Sequence, residues 1–296
     1  AQGQCLRFEP PRFAEASAPG ATTVGGVVAA GLSGPARASV GAVRDYVLGA
    51  TLLNGRGELL SFGGQVMKNV AGYDVSRVLA GSLGVLGLIV DVSLKVLPIA
   101  PAEATLEFDC SQADALRLLN EWGGRPLPLD ASLWCEREGL GVLSLRLRGA
   151  VAAVRAACAQ LGGQRQDDVR AAQAWRSLRD QQHPWFAAEA STHDLWRLSV
   201  PQTAPPLDIA AGAPWIEWHG GQRWYRAAPG AGAAMRAAAR AVGGHATLFR
   251  PAAGDVAAAV GRFDALSAPI ERIHRALMAS FDPQAVFDRT RLYPEP

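Results

Sequence analysis

The chain reads as an α+β protein in two parts, and three observations carry that reading. Val47-Leu48-Gly49-Ala50-Thr51-Leu52-Leu53 and Glu58-Leu59-Leu60-Ser61-Phe62 are strand-like runs joined by Asn54-Gly55-Arg56-Gly57, a hairpin signal that implies antiparallel pairing. Val154-Arg155-Ala156-Ala157 up to Leu161-Gly162-Gly163 matches Met235-Arg236-Ala237-Ala238 up to Val242-Gly243-Gly244. Two strand-like runs precede each of these helices, 132–135 with 142–147 in the first copy and 214–218 with 222–226 in the second, which makes a duplicated β-β-α unit. Between hairpin and repeat, Pro98, Pro101 and Glu103 mark a boundary near residue 100.

Length and composition bound the problem. A chain of 296 residues, 49% hydrophobic and 19% charged, buries a sizeable core. A net charge of +2 is too near balance to imply a nucleic-acid partner. No uncharged apolar run reaches about 18 residues, so no membrane-spanning helix is expected. Cys5, Cys110, Cys135 and Cys158 are scattered without a C-x-x-C, a pattern of buried free thiols rather than a zinc site or disulfide framework.

Within the first hundred residues, Thr22-Thr23-Val24-Gly25-Gly26-Val27-Val28-Ala29-Ala30-Gly31 places paired glycines before a run of small residues. Glycine permits positive φ and close backbone approach, and a short helix after it adds partial positive charge, chemistry that suits a pyrophosphate. The alternative is a tight turn followed by a close helix contact. A nicotinamide-binding Rossmann fingerprint needs strand, G-x-G-x-x-G, helix and a later acid, and the spacing here does not provide it.

The second half of this stretch makes the resemblance specific. It contains Lys68-Asn69-Val70-Ala71-Gly72-Tyr73-Asp74 and Ala80-Gly81-Ser82-Leu83-Gly84-Val85-Leu86-Gly87-Leu88-Ile89. Together these segments resemble the second FAD-binding subdomain of the PCMH, or vanillyl-alcohol-oxidase-type, flavoproteins, and among them the FAD-binding subunits of bacterial glycolate oxidases. The motif resemblance covers about 75 residues, and the match to those subunits continues to the C-terminus. It implies that Thr23, Gly25, Gly26, Ala29 and Gly31 run along the FAD pyrophosphate and ribityl chain. Gly81, Ser82, Gly84, Gly87 and Ile89 match the segment flanking the adenine half, with Leu83 and Val85 replacing the family's Glu and Thr. Lys68, Asn69, Gly72, Tyr73 and Asp74 match a K-N-x-x-G-Y-D segment near the cofactor, and Asp74 also reads as a loop brace.

Gln4-Cys5-Leu6-Arg7-Phe8-Glu9-Pro10-Pro11 resembles the middle of the family's FAD domain, and the chain has no initiator Met. The expectation is therefore a first FAD subdomain missing from the chain and FAD binding that is weak or absent. The expected division is 1–100 as the second FAD subdomain, 101–280 as a ferredoxin-like antiparallel cap or substrate domain, and 281–296 returning to the FAD domain.

Along the cap, Thr105-Leu106-Glu107-Phe108 alternates as an edge strand would. Ser111 with Asp114 forms a capping box, and Leu116, Leu119 and Trp122 share one face before Gly123-Gly124. The stretch 168–183 reads as an amphipathic helix with Val169, Ala172, Trp175 and Leu178 on its apolar face. Residues 195–200 and 217–224 are close to the glycolate oxidase subunits. Arg197 and Arg223 alternate there with apolar neighbours, each able to meet a carboxylate or to line a subunit interface.

The family's catalytic subunits carry G-E-H-G-x-G with clustered histidines and acids. Here His183, His193, His219, His245 and His274 lie at least ten residues apart, so no metal site and no catalytic residue is assigned. At the C-terminus, Asp288-Arg289-Thr290 stands where the family has Asn-Pro-Gly, and an acid beside reduced flavin disfavours its anion. The resemblance implies an FAD-dependent oxidoreductase subunit passing electrons from a 2-hydroxy acid to a partner. Its expected partners are a catalytic flavoprotein subunit and an iron–sulfur subunit, in the cytoplasm or at the inner membrane face. A non-catalytic assembly subunit with a decayed flavin site, and an independent flavoprotein oxidase, stay open beside it.

Overall fold

A computed structural model describes residues 2–13, 22–66, 73–253 and 261–292. The chain divides into two compact units, one of Ala1–Ser33, Gly41–Pro98 and Ala265–Pro296, the other of Gly34–Val40 and Ile99–Asp264.

In the first unit, β1 (Gln4–Cys5) pairs antiparallel with β5 (Leu97–Pro98). Helix α1 (Val24–Ala30) precedes the antiparallel sheet of β2 (Val47–Leu53), β3 (Leu59–Gly63) and β4 (Leu88–Leu94), in the order β3-β2-β4. The predicted hairpin is β2–β3. Asn54 organises its turn, accepting from the amides of Arg56 and Glu58 at 2.9 Å and donating from Nδ2 to Glu58 Oε2 at 2.8 Å. Gly55 is required because a Cβ there would lie 2.0 Å from Asp282 Oδ1. That fully buried aspartate follows the unit's last helix and accepts from the amides of Val286 and Phe287. Two clusters fill the unit, one of Phe8, Val28, Val43, Tyr46 and Val47, the other of Ala50, Leu52, Leu79, Val85, Leu86 and Met278.

The short helix α2 (Arg37–Val40) belongs to the second unit. After it run β6 (Ala102–Asp109), α3 (Gln112–Gly123), β7 (Leu129–Arg137), β8 (Leu140–Gly149), α4 (Val151–Leu161) and β9 (Gln164–Arg165). Then come α5 (Asp168–Arg179), α6 (Pro184–Ala187), β10 (Asp194–Ser199), β11 (Trp215–Glu217), β12 (Gln222–Ala227), α7 (Gly232–Ala241) and β13 (His245–Arg250). The remaining helix, α8 (Ala268–Phe281), is part of the first unit.

The strands of the second unit form one sheet in the order β13-β10-β12-β11-β7-β8-β6-β9, with every recorded pairing antiparallel. Each half has ferredoxin-like connectivity, β9-β6-β8-β7 and β13-β10-β12-β11. The halves meet where Ile216 and Glu217 of β11 pair with Trp134 and Leu133 of β7. The duplicated β-β-α unit is thus the centre of a longer repeat, in which residues 200–214 stand where the first copy has α3.

The paired glycines mark the same contact in both copies. A Cβ on Gly163 would lie 2.5 Å from Phe108 of β6, and one on Gly244 would lie 2.4 Å from the Ser199 carbonyl of β10. The second glycine of each pair lets the chain re-enter beside its repeat's first strand.

Two expectations along this unit are corrected. Strand β6 is not a simple alternating edge, because Ala104, Thr105 and Leu106 are all buried and β9 pairs with Leu106 and Glu107. The buried face of α5 is Ala171, Trp175 and Leu178, whereas Val169 is exposed. Trp175 sets that rotation by donating from Nε1 to Thr105 Oγ1 at 3.0 Å beneath the Arg146 guanidinium. Helix α3 is capped as expected, Ser111 Oγ accepting from the Asp114 amide, with Leu116, Leu119 and Trp122 buried.

Candidate functional site

In the first unit, Thr23 caps α1 by accepting from the Gly26 amide at 3.0 Å. Gly25 and Gly26 therefore lie inside the first helical turn and not in a positive-φ nest, a correction to the sequence reading. The amides of Val24 and Gly25 have no acceptor among the described residues. The left-handed residue is Gly31, which ends the helix at φ 66°.

Gly31 also brings the two predicted cofactor segments together. A Cβ on it would lie 2.7 Å from Gly81 Cα, the Gly81 amide donates to Val28 O at 3.0 Å, and the Leu83 amide donates to Ala29 O at 2.8 Å. The turn 81–87 is held by its own bonds: Ser82 is buried, its Oγ accepts from the Gly84 amide, and the Gly87 amide donates to Gly84 O. A Cβ on Gly87 would lie 2.6 Å from Leu53 O, and Ile89 pairs with Leu52. Thr23, Gly25, Gly26, Ala29 and Gly31 thus share one region with Gly81, Ser82 and Gly84, while Gly87 and Ile89 anchor the turn to the sheet.

Lys68, Asn69 and Gly72 lie outside the described residues. Tyr73 is 95% exposed. Asp74 accepts from Ser76 Oγ at 3.1 Å and lies 3.1 Å from Arg77 Nε, the geometry of a loop brace. Asp288 is exposed and caps the turn 289–291, accepting from the Thr290 amide and hydroxyl, which lower its carboxyl below the usual range.

In the second unit the two candidate arginines part company. Arg223 is fully buried, and its guanidinium donates to the carbonyls of Gly220, Pro205 and Ala204 at 3.2, 2.5 and 2.6 Å. Three of its five N–H groups, one on each nitrogen, serve the backbone, and with the side chain fully buried its candidacy for a substrate carboxylate is withdrawn.

Arg197 has no hydrogen-bond acceptor and no acid among the described residues. Its one recorded contact is the Phe249 ring, 5.7 Å from Cζ. Burial, and then the neighbouring Arg37 cation, pull its pKa down to about 10. It shares a sheet face with its cross-strand partners Trp224 and Thr247, and His245 opposite Ser199 is its diagonal neighbour on that face. His245 has no recorded hydrogen bond. Its pKa is lowered by burial and by Arg197 and Arg37, against an opposing pull from Asp264.

Arg37 arrives through a clamp on the short helix α2. Trp218 Nε1 donates to Gly34 O at 3.0 Å, and the Arg37 guanidinium lies 4.4 Å from the Trp218 ring centre. His219 Nε2 lies 2.9 Å from Ser39 Oγ, and its Nδ1 and backbone amide each lie 3.0 Å from Ser132 Oγ. Burial pushes the His219 pKa down to about 4 against the pull of Asp130, so the imidazole is neutral at pH 7. The sequence named both histidines without assigning them a role. The signal that would have found His245 is the strand register, which places it beside Arg197.

A separate cavity of about 490 Å³ lies under α5, lined by Thr105, Cys135, Arg137, Trp175, His183 and Trp215 among others. None of the predicted site residues lines it. Its aromatic rings already face other groups, Trp185 stacking on Trp215 and meeting Arg226, and Trp175 meeting Arg146.

No family model matches the chain. Among solved structures, alkyldihydroxyacetonephosphate synthase superposes with a TM-score of 0.60 at 14% identity, covering 96% of this chain and 60% of that one. Xylooligosaccharide oxidase from Myceliophthora thermophila C1 gives 0.56 at 15%, covering 91% and 70%. These likenesses show a shared fold. A stretch of 85 residues is 34% identical to the glycolate oxidase subunit GlcD of Bacillus subtilis, 29% of this chain and 18% of that one. The glycolate oxidase subunit GlcE of Escherichia coli K12 is 42% identical over 293 residues, 99% of this chain and 77% of that one. At that identity and coverage, the chain belongs to the family of the glycolate oxidase subunit GlcE.

Proposed function

We propose that this chain is the FAD-binding subunit of a glycolate-oxidase-like dehydrogenase that takes electrons from a 2-hydroxy acid and hands them to a partner subunit. The observation that carries this reading is the contact between the end of α1 and the 81–83 turn. It joins two stretches distant in sequence, each carrying candidate cofactor residues. When bound, FAD supplies the two-electron acceptor. The groups of this chain that would hold it are the unsatisfied amides of Val24 and Gly25, the Thr23-capped turn, and the backbone around Gly81 to Gly84. The partners under this reading are a GlcD-like flavoprotein subunit and an iron–sulfur subunit, in the cytoplasm or against the inner membrane face.

FAD binding by the chain as given is weak under the same reading. The amides of the 81–87 turn are mostly engaged already, Gly81 and Leu83 by carbonyls of α1, Ser82 by Leu79 O, and Val85 and Gly87 by the turn's own carbonyls, which leaves the start of α1 as the main anion contact. The test is a 300–550 nm absorption titration with FAD, run beside a version extended upstream by a first FAD subdomain. The expected result is stoichiometric flavin peaks in the extended version and weak uptake in this one. Flavin peaks in neither version, with both folded by circular dichroism, would replace the dehydrogenase reading with a non-catalytic assembly subunit.

A further inference from the structure

The cavity under α5 lies wholly within the second unit. At about 490 Å³ it falls in the usual range of small-molecule sites, about 300–1,000 Å³. Its walls are mainly apolar, with Leu133 on β7, Trp215 on β11, and Ala171, Trp175 and Leu178 on α5. Such a space takes an apolar body, and its few polar atoms decide which one. Most of these are already paired. Trp175 Nε1 donates to Thr105, Arg137 donates from Nη1 to Glu107 Oε1 at 2.7 Å and from Nη2 to Ser144 Oγ at 3.0 Å, and Ser144 Oγ donates to the same Glu107 oxygen at 2.8 Å. Glu107 Oε2 has no recorded donor among the described residues. A donor that reaches this ionised acceptor from the cavity makes a charge-assisted hydrogen bond.

Charge narrows the choice. The lining holds Glu107, Glu136 and Glu138 against Arg137 and Arg170, one acid in excess, so an anion is not favoured. Cys135 and His183 add no charge at pH 7, because burial raises the thiol and lowers the imidazole. A cation meets Arg137 and finds the ring faces already shared. Arg146 lies 5.0 Å from the Trp175 ring centre, and Arg226 lies 5.0 Å from that of Trp185, which stacks on Trp215. These rings keep their edges, which carry the positive side of the quadrupole and prefer the face of another aromatic ring.

We infer that this cavity binds an uncharged planar aromatic of the indole class, its ring against the tryptophan edges and its ring N–H donating to Glu107 Oε2. The apolar walls supply affinity by burying the ring. The single open acceptor supplies orientation, and the excess acid turns away carboxylates of the same shape. The site does not depend on the proposed flavin function.

The test is a proton–nitrogen NMR titration of the tryptophan side-chain signals of the whole, nitrogen-labelled chain with indole, N-methylindole or indoleacetate. Trp175→Phe, Trp185→Phe and Trp215→Phe assign the three signals from the cavity. Indole is expected to shift them saturably. N-methylindole, which has the ring but no donor, should bind about tenfold more weakly, the loss of one hydrogen bond to a charged acceptor. Indoleacetate should also bind more weakly than indole, and Glu107→Gln should shrink the preference for indole over its N-methyl form. Ala174→Phe, on the exposed side of α5 where it lines the cavity, should remove the indole shifts with the circular-dichroism spectrum unchanged. The absence of a saturable indole shift overturns the site, as does equal binding of N-methylindole or indoleacetate, or an undiminished shift in folded Ala174→Phe.

Discussion

Arg223 and Arg197 lie on adjacent strands, and both read from sequence as cations alternating with apolar neighbours. Their environments separate them. Arg223 satisfies three backbone carbonyls, so Arg223→Met strands these acceptors as well as removing a charge. Each buried acceptor left unsatisfied costs about 1–3 kcal/mol. Arg197 meets no oxygen acceptor among the described residues, so Arg197→Met should cost less than about 1 kcal/mol or even stabilise the fold. Urea unfolding of both variants checks this contrast. Equal losses would mean that Arg197 has a structural acceptor after all.

At the level of elements, the contact between α1 and the 81–83 turn depends on Gly31. Alanine there faces two penalties, a left-handed φ of 66° and a Cβ placed 2.7 Å from Gly81 Cα and 2.8 Å from its nitrogen. The conformational part alone is worth about 1 kcal/mol. Because the clash is with backbone, Gly31→Ala should cost about 3 kcal/mol or more by chemical denaturation and should also weaken FAD uptake in the extended protein. A loss near 1 kcal/mol with unchanged flavin uptake would show that the two segments separate cheaply. Such close approaches explain which elements were legible in sequence. The repeat was readable because Gly163 and Gly244 each abut the first strand of their copy, and a side chain is excluded at both. The hairpin was readable because Asn54 closes its own turn. The buried face of α5 was not, because a hydrogen bond from Trp175 to Thr105, far away in sequence, fixes its rotation. Gly25 and Gly26 misled for a related reason: they fill a capped helical turn, and local composition does not distinguish that from a turn outside a helix.

For the molecule as a whole, the cavity in the second unit was hidden because its lining comes from β6, β7, β8, β11 and α5, which meet only through the sheet order and the bond from Trp175 to Thr105. The packing of that unit makes the protein sensitive to acid. His183, His219 and His245 all have pKa values below the ordinary imidazole value, chiefly through burial. The unfolded chain therefore binds more protons than the folded one as pH falls through 6.5, and stability must fall with it. For His219 the window runs from about 6.5 down to its folded value of about 4, a total loss of about 3 kcal/mol. Stability from this group is fully present above pH 6.5 and stops declining below about 4. His219→Gln keeps hydrogen-bonding atoms for Ser39 and Ser132 but cannot titrate. Its unfolding free energy between pH 7 and 4.5 should therefore fall less steeply than that of the parent, by up to about 1.4 kcal/mol per pH unit. Parallel profiles for the two proteins would mean that the imidazole titrates normally in the folded state, and that the clamp on α2 is looser than its 2.9 and 3.0 Å contacts imply.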